Sequence, residues 1–362
     1  HSNIDFMIFH NITTIIHFAI RTKNANKIIF FIEDLSHFRF VEKIFQYFAK
    51  NNYEITVLSF ENPFGSRVYN NEKINLIILK NDLEKIKILK NLKGGVFITT
   101  TPSIGSAIFP KSQIRPREDR PKYLYFFHSL VSPNEMYIKN SFKGFDYIFS
   151  PSNIISEQLK PLVGSKAKIF TTGYLLFDEI KPRDESTTFD RKVLIAPTWG
   201  EDGVNEIVSN FDKLADFINK QSLIPVFRPH PMTDISKLKI VSDVILDLEK
   251  DLINLEDYKY LITDFSGIAL EFFYLTKRPI IFLDVSKKIK RKLNKKEKEF
   301  NLIENDMRTI IGDVFTLNEI TNLESFPDIN FETAEKFIQN INSNLNSLNK
   351  TIEILKAEGL TL

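Results

Sequence analysis

Short apolar runs recur along this chain, separated by polar or amphipathic stretches. The first, Ile28-Ile29-Phe30-Phe31-Ile32, is unbroken, as a strand buried on both faces requires. Similar runs lie at Ile55–Leu58, Leu76–Leu79, Val96–Thr100, Tyr123–Phe127, Tyr147–Phe149 and Lys168–Phe170. The segment Phe40 to Ala49 has helical spacing, and further helical segments separate several of the runs. A second series occupies 193–196, 224–227, 243–246, 260–263 and 280–283, again with helical segments between. Strands alternating with helices predict parallel sheets covered on both faces. The polar stretch from Asp178 to Arg191, with Pro182, Asp184, Glu185 and Ser186, reads as a linker between the two series. Residues 330–357 read as a long helical region, with Ile338, Ile341, Leu345, Leu348, Ile352 and Leu355 on one stripe. The expected fold class is α/β, with domains at 1–178 and 192–330 and a helical segment at 331–362. Residues 4–20 read as a helix that packs on its own domain. The other reading, an interfacial membrane helix, lacks the expected basic polar face.

Composition narrows the picture. The 362 residues are 43% hydrophobic and 26% charged, as a globular protein with a full core requires, and the net charge of +2 gives no global attraction to nucleic acid. Cysteine is absent, which removes disulfide and thiolate chemistry and fits a reducing compartment. No run of about 18 apolar residues suggests a transmembrane helix, and no stretch has the pattern of a signal peptide. The expected location is cytoplasmic, or peripheral on the inner face of the cell membrane. Lys287 to Lys298 holds eight Lys or Arg among twelve residues. It reads either as a solvated face or as a peripheral contact with an anionic membrane or polyanionic acceptor.

Candidate chemistry gathers where strands end. Tyr260-Leu261-Ile262 runs into Thr263-Asp264-Phe265-Ser266-Gly267, and an apolar helix follows. Ser266 can cap that helix, Gly267 permits close approach, and the helix N-terminus suits an anion such as a phosphate. Upstream, Pro229 and Pro231 stop the strand ending at Phe227, presenting Arg228 and His230 at its C-terminal end. Ligands bind at that edge of open α/β sheets, and an arginine fork with a charged imidazole suits a diphosphate. Ala196-Pro197-Thr198-Trp199 ends a third strand. In the first series, His128 directly follows Tyr123–Phe127, a position for a base working near neutral pH. Ser36-His37 follows the first strand, where an acceptor-side loop belongs.

Taken together, Ala196-Pro197-Thr198-Trp199, Arg228-Pro229-His230-Pro231 and Thr263-Asp264-Phe265-Ser266-Gly267 resemble the CDP-glycerol glycerophosphotransferase family, which builds teichoic acids and related capsule polymers. Phe126-Phe127-His128-Ser129-Leu130 and Thr172-Gly173-Tyr174 with Asp178 match two further family segments in the same order. The resemblance spans roughly residues 95 to 285. It implies a glycosyltransferase B-type fold, two Rossmann-like domains facing across a cleft, with the donor on the C-terminal domain. It further implies His128, His230 and Asp264 as catalytic residues, Thr198, Arg228, His230, Ser266, Gly267 and Glu271 as donor-binding, and Ser36, His37 and Ser129 as acceptor-binding. The expected partners are a CDP-glycerol or other nucleotide-linked donor and a polysaccharide or lipid-linked acceptor, with no nucleic acid. Ser129 stands where the family commonly has Gly, and Leu175 where it has Pro. These departures keep open a glycosyltransferase using a CMP- or UDP-sugar. The sequence has no Asp-x-Asp, His-Glu-x-x-His, Walker A or Gly-x-Gly-x-x-Gly motif. No metal site and no tightly bound cofactor are therefore expected.

Overall fold

A computed structural model of the chain describes residues 27–65, 67, 69, 71–103, 120–138, 140–178, 191–199, 206–230, 233–237, 244–248, 254–286, 302–342 and 346–361. The expected helix at 4–20, the linker between Asp178 and Arg191, and the basic run Lys287 to Lys298 lie outside them.

Two all-parallel sheets form from the two apolar series. The first joins β1 (Lys27–Ile32), β2 (Glu54–Ser59), β3 (Ile74–Ile78), β4 (Val96–Thr99), β5 (Lys122–Phe126), β6 (Tyr147–Ser150) and β7 (Lys168–Thr171) in the order β3-β2-β1-β4-β5-β6-β7. The second joins β8 (Lys192–Ile195), β9 (Ile224–Phe227), β10 (Ile245–Leu246), β11 (Tyr258–Thr263), β12 (Ile280–Leu283) and β13 (Gly312–Phe315) as β10-β9-β8-β11-β12-β13. In each, strand order reverses beside the first strand. Ile28 of β1 pairs with Ile55 of β2 on one side and Val96 of β4 on the other. Leu194 of β8 sits between Val226 of β9 and Leu261 of β11. Such reversal points open a crevice at the strands' C-terminal ends. The α/β class and the parallel sheets expected from the sequence are borne out. β13 was not expected: it is an edge strand of four residues whose Asp313 and Val314 are exposed, so it carries no apolar run.

The chain divides into two compact units. One comprises residues up to His128, Tyr137–Asp178 and Asn342–Leu362; the other comprises Ser129–Met136 and Glu179–Ile341. In the first unit, the helix Glu42–Lys50 turns Ile44, Phe45 and Phe48 onto β1 and its neighbours. Phe45 meets Phe30 edge-on at 5.3 Å between centroids and Phe38 at 5.4 Å. Each such aromatic pair adds about 0.5–1.5 kcal/mol to the area it buries. The second core gathers Val193, Ile195, Leu214, Phe217, Ile218, Phe227, Ile262 and Ile281. Among the described residues, no helix is long and apolar enough to cross a membrane.

The single helical region expected at 330–357 is two helices, Phe331–Ile341 in the second unit and Ser347–Ala357 in the first. The second starts at Asn346 without a side-chain cap of its own. Asp178 supplies one: its carboxylate accepts from Ser347 N at 2.9 Å and Leu348 N at 2.7 Å. The negative charge also suits the positive end of the helix. The Asp178→Ala substitution should cost about 1–2 kcal/mol. The check is the urea midpoint of the first unit; an unchanged midpoint would remove Asp178 as the cap.

Candidate functional site

In the second unit, three strand ends meet at the β8/β11 reversal. Thr198 and Trp199 follow β8, Arg228 and His230 follow β9, and Asp264 to Gly267 follow β11. Asp264 is fully buried. Its carboxylate accepts from Thr198 N at 3.0 and 3.1 Å, from Thr198 Oγ1 at 2.6 Å and from Phe265 N at 2.7 Å. Asp264, expected among the catalytic groups, ties the end of β8 to the turn after β11 through these bonds. Thr263 adds to this, its hydroxyl donating to the Ala196 carbonyl at 2.7 Å.

Arg228 is half-buried, with one arm of its fork on Asp247 of the β10 end at 2.8 Å. This bond orients the guanidinium at the strand end. The His230 ring lies 6.4 Å from that of Trp199, tilted by 32°. The apolar helix after the turn is Ile268–Thr276, with Gly267 at its N-cap and no side-chain cap bond. Ser266 was expected to cap it by its hydroxyl; instead its carbonyl accepts from Ala269 N at 3.1 Å. No side chain caps this helix start, and Ala269 N and Leu270 N donate to the Ser266 and Gly267 carbonyls at 3.1 Å; helix N-termini of this kind favour anions. Glu271, in the first turn, is buried.

Gly267 sits close against the Ser129–Val131 segment. A Cβ there would stand 3.3 Å from Leu130 N and 3.5 Å from Ser129 Cβ. Ser129, expected on the acceptor side, therefore lies against the turn after β11, and the segment Ser129–Met136 belongs to the same unit as that turn.

In the first unit, His128 follows β5, and its Nδ1 lies 3.0 Å from the Thr100 carbonyl just past β4. A carbonyl only accepts, so Nδ1 carries a hydrogen, and in the neutral ring Nε2 is then the basic nitrogen. Past β1 comes a tight turn, Leu35–Phe40, N-capped by Asp34. It brings His37 over His128, with ring centroids 4.3 Å apart and planes at 27°. Phe40 stands edge-on to both imidazoles at 6.3 Å. Ser36 is committed locally, its N and Oγ both donating to Asp34 Oδ1 at 2.9 and 2.6 Å. Gly173 takes φ +97°, a backbone that favours glycine. It turns the chain into Tyr174, whose ring packs 5.9 Å from that of Phe40.

Two residues near the turn after β11 had no signal in the sequence. Arg308, on the helix Ile303–Ile310, lays its guanidinium 4.1 Å from the Phe265 ring centroid and donates to the Leu283 carbonyl at 3.0 Å. Burial pushes its pKa below the ordinary arginine value, while Asp284 and Asp264 pull the other way. Glu304, one turn earlier and fully buried, accepts from Ser132 N at 2.7 Å, while the Ser132 hydroxyl accepts from Ile303 N at 2.9 Å. This is the reciprocal bonding of a capping box, made by a residue far away in sequence.

Residues 131–293 match the family described as CDP-Glycerol:Poly(glycerophosphate) glycerophosphotransferase. The match begins just after His128 and takes in the three strand ends of the second unit. Among solved structures, the wall teichoic acid polymerase TagF soaked with CDPG is similar at 14% identity and TM-score 0.60, over 93% of this chain and 89% of that one. A second TagF structure, from a shorter soak, gives 13% identity and TM-score 0.58 over 96% and 93%. A protein assigned as a UDP-N-acetylglucosamine 2-epimerase, from Listeria monocytogenes, gives 13% identity and TM-score 0.56 over 93% and 97%. Likeness at these identities speaks for the fold, which is the glycosyltransferase B type. No curated protein sequence matches the chain significantly.

Proposed function

We propose that this chain is a CDP-glycerol-dependent glycerophosphotransferase of teichoic acid synthesis, the family that its residues 131–293 match. The observation that carries the reading is that this match covers the strand ends where the second sheet reverses, with Thr198, Arg228, His230 and an uncapped helix start grouped together.

The chemistry follows from what each group can do. An acceptor hydroxyl attacks the glycerol-bearing phosphorus of the donor. The new O–P bond forms as the bond to the CMP oxygen breaks, and CMP leaves with that electron pair. His128 takes the hydroxyl proton on Nε2, because Nδ1–H is engaged by Thr100. Arg228, His230 and the N–H groups at the start of Ile268–Thr276 meet the charge gathering on the diphosphate. Asp264 acts through Thr198, fixing the strand end beside the diphosphate. Glu271 and Ser266 are assigned to the donor, and Ser36 to the acceptor side. The acceptor is a glycerophosphate polymer or its lipid-linked primer. Contact of Lys287 to Lys298 with an anionic membrane belongs to the proposal on charge alone.

Thermal unfolding with CDP-glycerol, CDP, CMP and UDP tests the donor assignment. CDP-glycerol at about a hundred times its dissociation constant should stabilise the fold by roughly 2.7 kcal/mol. Arg228→Ala should cut that shift to a small remainder while the ligand-free melting temperature stays close to that of the parent. A larger shift with UDP than with any cytidine nucleotide would replace this reading with a sugar-nucleotide glycosyltransferase.

A further inference from the structure

We propose that Arg308 is a second guanidinium for the donor's phosphates, a role that rests on the second unit holding the nucleotide donor. Arg308 lies beyond residues 131–293, the part that matches the family. Its place in the fold brings it to the ligand edge of the second sheet. From the helix Ile303–Ile310 its Nη2 reaches the carbonyl of Leu283, the last residue of β12, at 3.0 Å. The guanidinium lies 4.1 Å from the ring centroid of Phe265, the residue that follows Asp264 in the turn after β11. In the strand order β9-β8-β11-β12, Arg228 follows β9 and Arg308 is bonded to the end of β12. The two guanidiniums therefore belong to the strands that flank β8 and β11, between which the crevice opens.

The charge on Arg308 is only partly compensated. Its side chain is 11% exposed, and a cation kept that far from water costs free energy unless opposite charge offsets it. Asp284 comes no closer than 3.6 Å, from a side chain 62% exposed, where solvent screening leaves an ion pair weak. Asp264 accepts from Thr198 and Phe265 N, and Glu304, one turn earlier on the same helix, accepts from Ser132 N. Nε of Arg308 is buried with no hydrogen-bond partner. A phosphate supplies the missing counter-charge, and its oxygens suit a planar guanidinium held in place by an aromatic ring. The helix start at Gly267 stands two residues past Phe265, so its preference for an anion falls on the same turn.

The test separates phosphate from nucleoside. Calorimetry on the full chain gives the affinity for CDP directly and that for cytidine by displacement. Arg308→Gln should weaken CDP on the order of 10- to 100-fold and cytidine by less than about twofold. Arg308→Lys keeps the charge without the fork and should weaken CDP alone, by a smaller factor. It carries the test by itself if the glutamine variant does not fold. A residue that only braces Phe265 and the end of β12 would give a different pattern. CDP and cytidine would then weaken together in the folded variants, or both would stay at the parent value, and either result overturns the inference. UDP and uridine are measured alongside. A parent that prefers UDP dismisses the cytidine donor, and the ratio of UDP to uridine affinity then tests Arg308 in the same way. A parent that binds none of the four overturns both readings.

Discussion

Replacing His128 by Ala should lower turnover by about 10²–10⁴-fold while donor affinity changes by no more than about twofold. The two effects separate because of where the residue sits. His128 belongs to the first unit, at the end of β5, whereas the groups assigned to the donor belong to the second. Its Nδ1–H donates to the Thr100 carbonyl, so in the neutral ring Nε2 is the nitrogen that can take a proton. Alanine removes the acceptor of the hydroxyl proton and leaves Thr198, Arg228 and His230 in the chain. Single-turnover release of CMP and calorimetric donor binding measure the two quantities separately. Turnover near the parent value would dismiss His128 as the base. Equal loss of turnover and binding would place His128 among the donor contacts instead.

The largest expected effect on stability is at Asp264. Its carboxylate serves Thr198 N, Thr198 Oγ1 and Phe265 N, and the group is wholly buried. Asp264→Ala strands these donors away from water, at a cost on the order of 3–5 kcal/mol. For a unit of this size that lowers the melting temperature by roughly 10 °C. Donor binding should fall too, because Thr198 and the start of Ile268–Thr276 lose their common tie. Asp264→Asn keeps one oxygen acceptor and should fall between the two. If Asp264→Ala melts like the parent but loses turnover, the residue touches substrate and is not a brace.

Most of this architecture was legible in the chain because parallel strands buried on both faces must be continuously apolar. Phe30, Phe97, Leu194 and Ile281 each sit within such a run and are all buried. The strand-end residues were legible for a related reason: once β9 is placed, Pro229 forces Arg228 and His230 to its C-terminal edge. What stayed hidden are pairings with no local signature. Thr198 and Asp264 lie 66 residues apart, Asp178 and Ser347 169, and Ser132 and Glu304 172. Nothing in the spacing around any one of them points to its partner. The stripe from Ile338 to Leu355 misled for the opposite reason. Its periodicity is real, but Ile338 and Ile341 are buried in one unit while Ile352 and Leu355 join the other unit's core. The same stripe fits one long helix or two short ones.

That split has a consequence for how the molecule is made. A nascent chain leaves the ribosome with β1 to β7 in hand long before Ser347–Ala357 is synthesised. Until then the core around Phe45, Phe48 and Val57 lacks Ile352, Leu355 and Leu360, and Asp178 has no helix to cap. Meanwhile Ser129–Met136, already translated, must wait for Glu304 before Ser132 finds its partner. Each half therefore completes itself with a piece delivered out of turn, and the first to emerge is the last to finish. Chaperones would meet an unfinished aromatic surface for most of translation. The two units are halves of the architecture without being halves of the message, and neither can be excised as one continuous stretch.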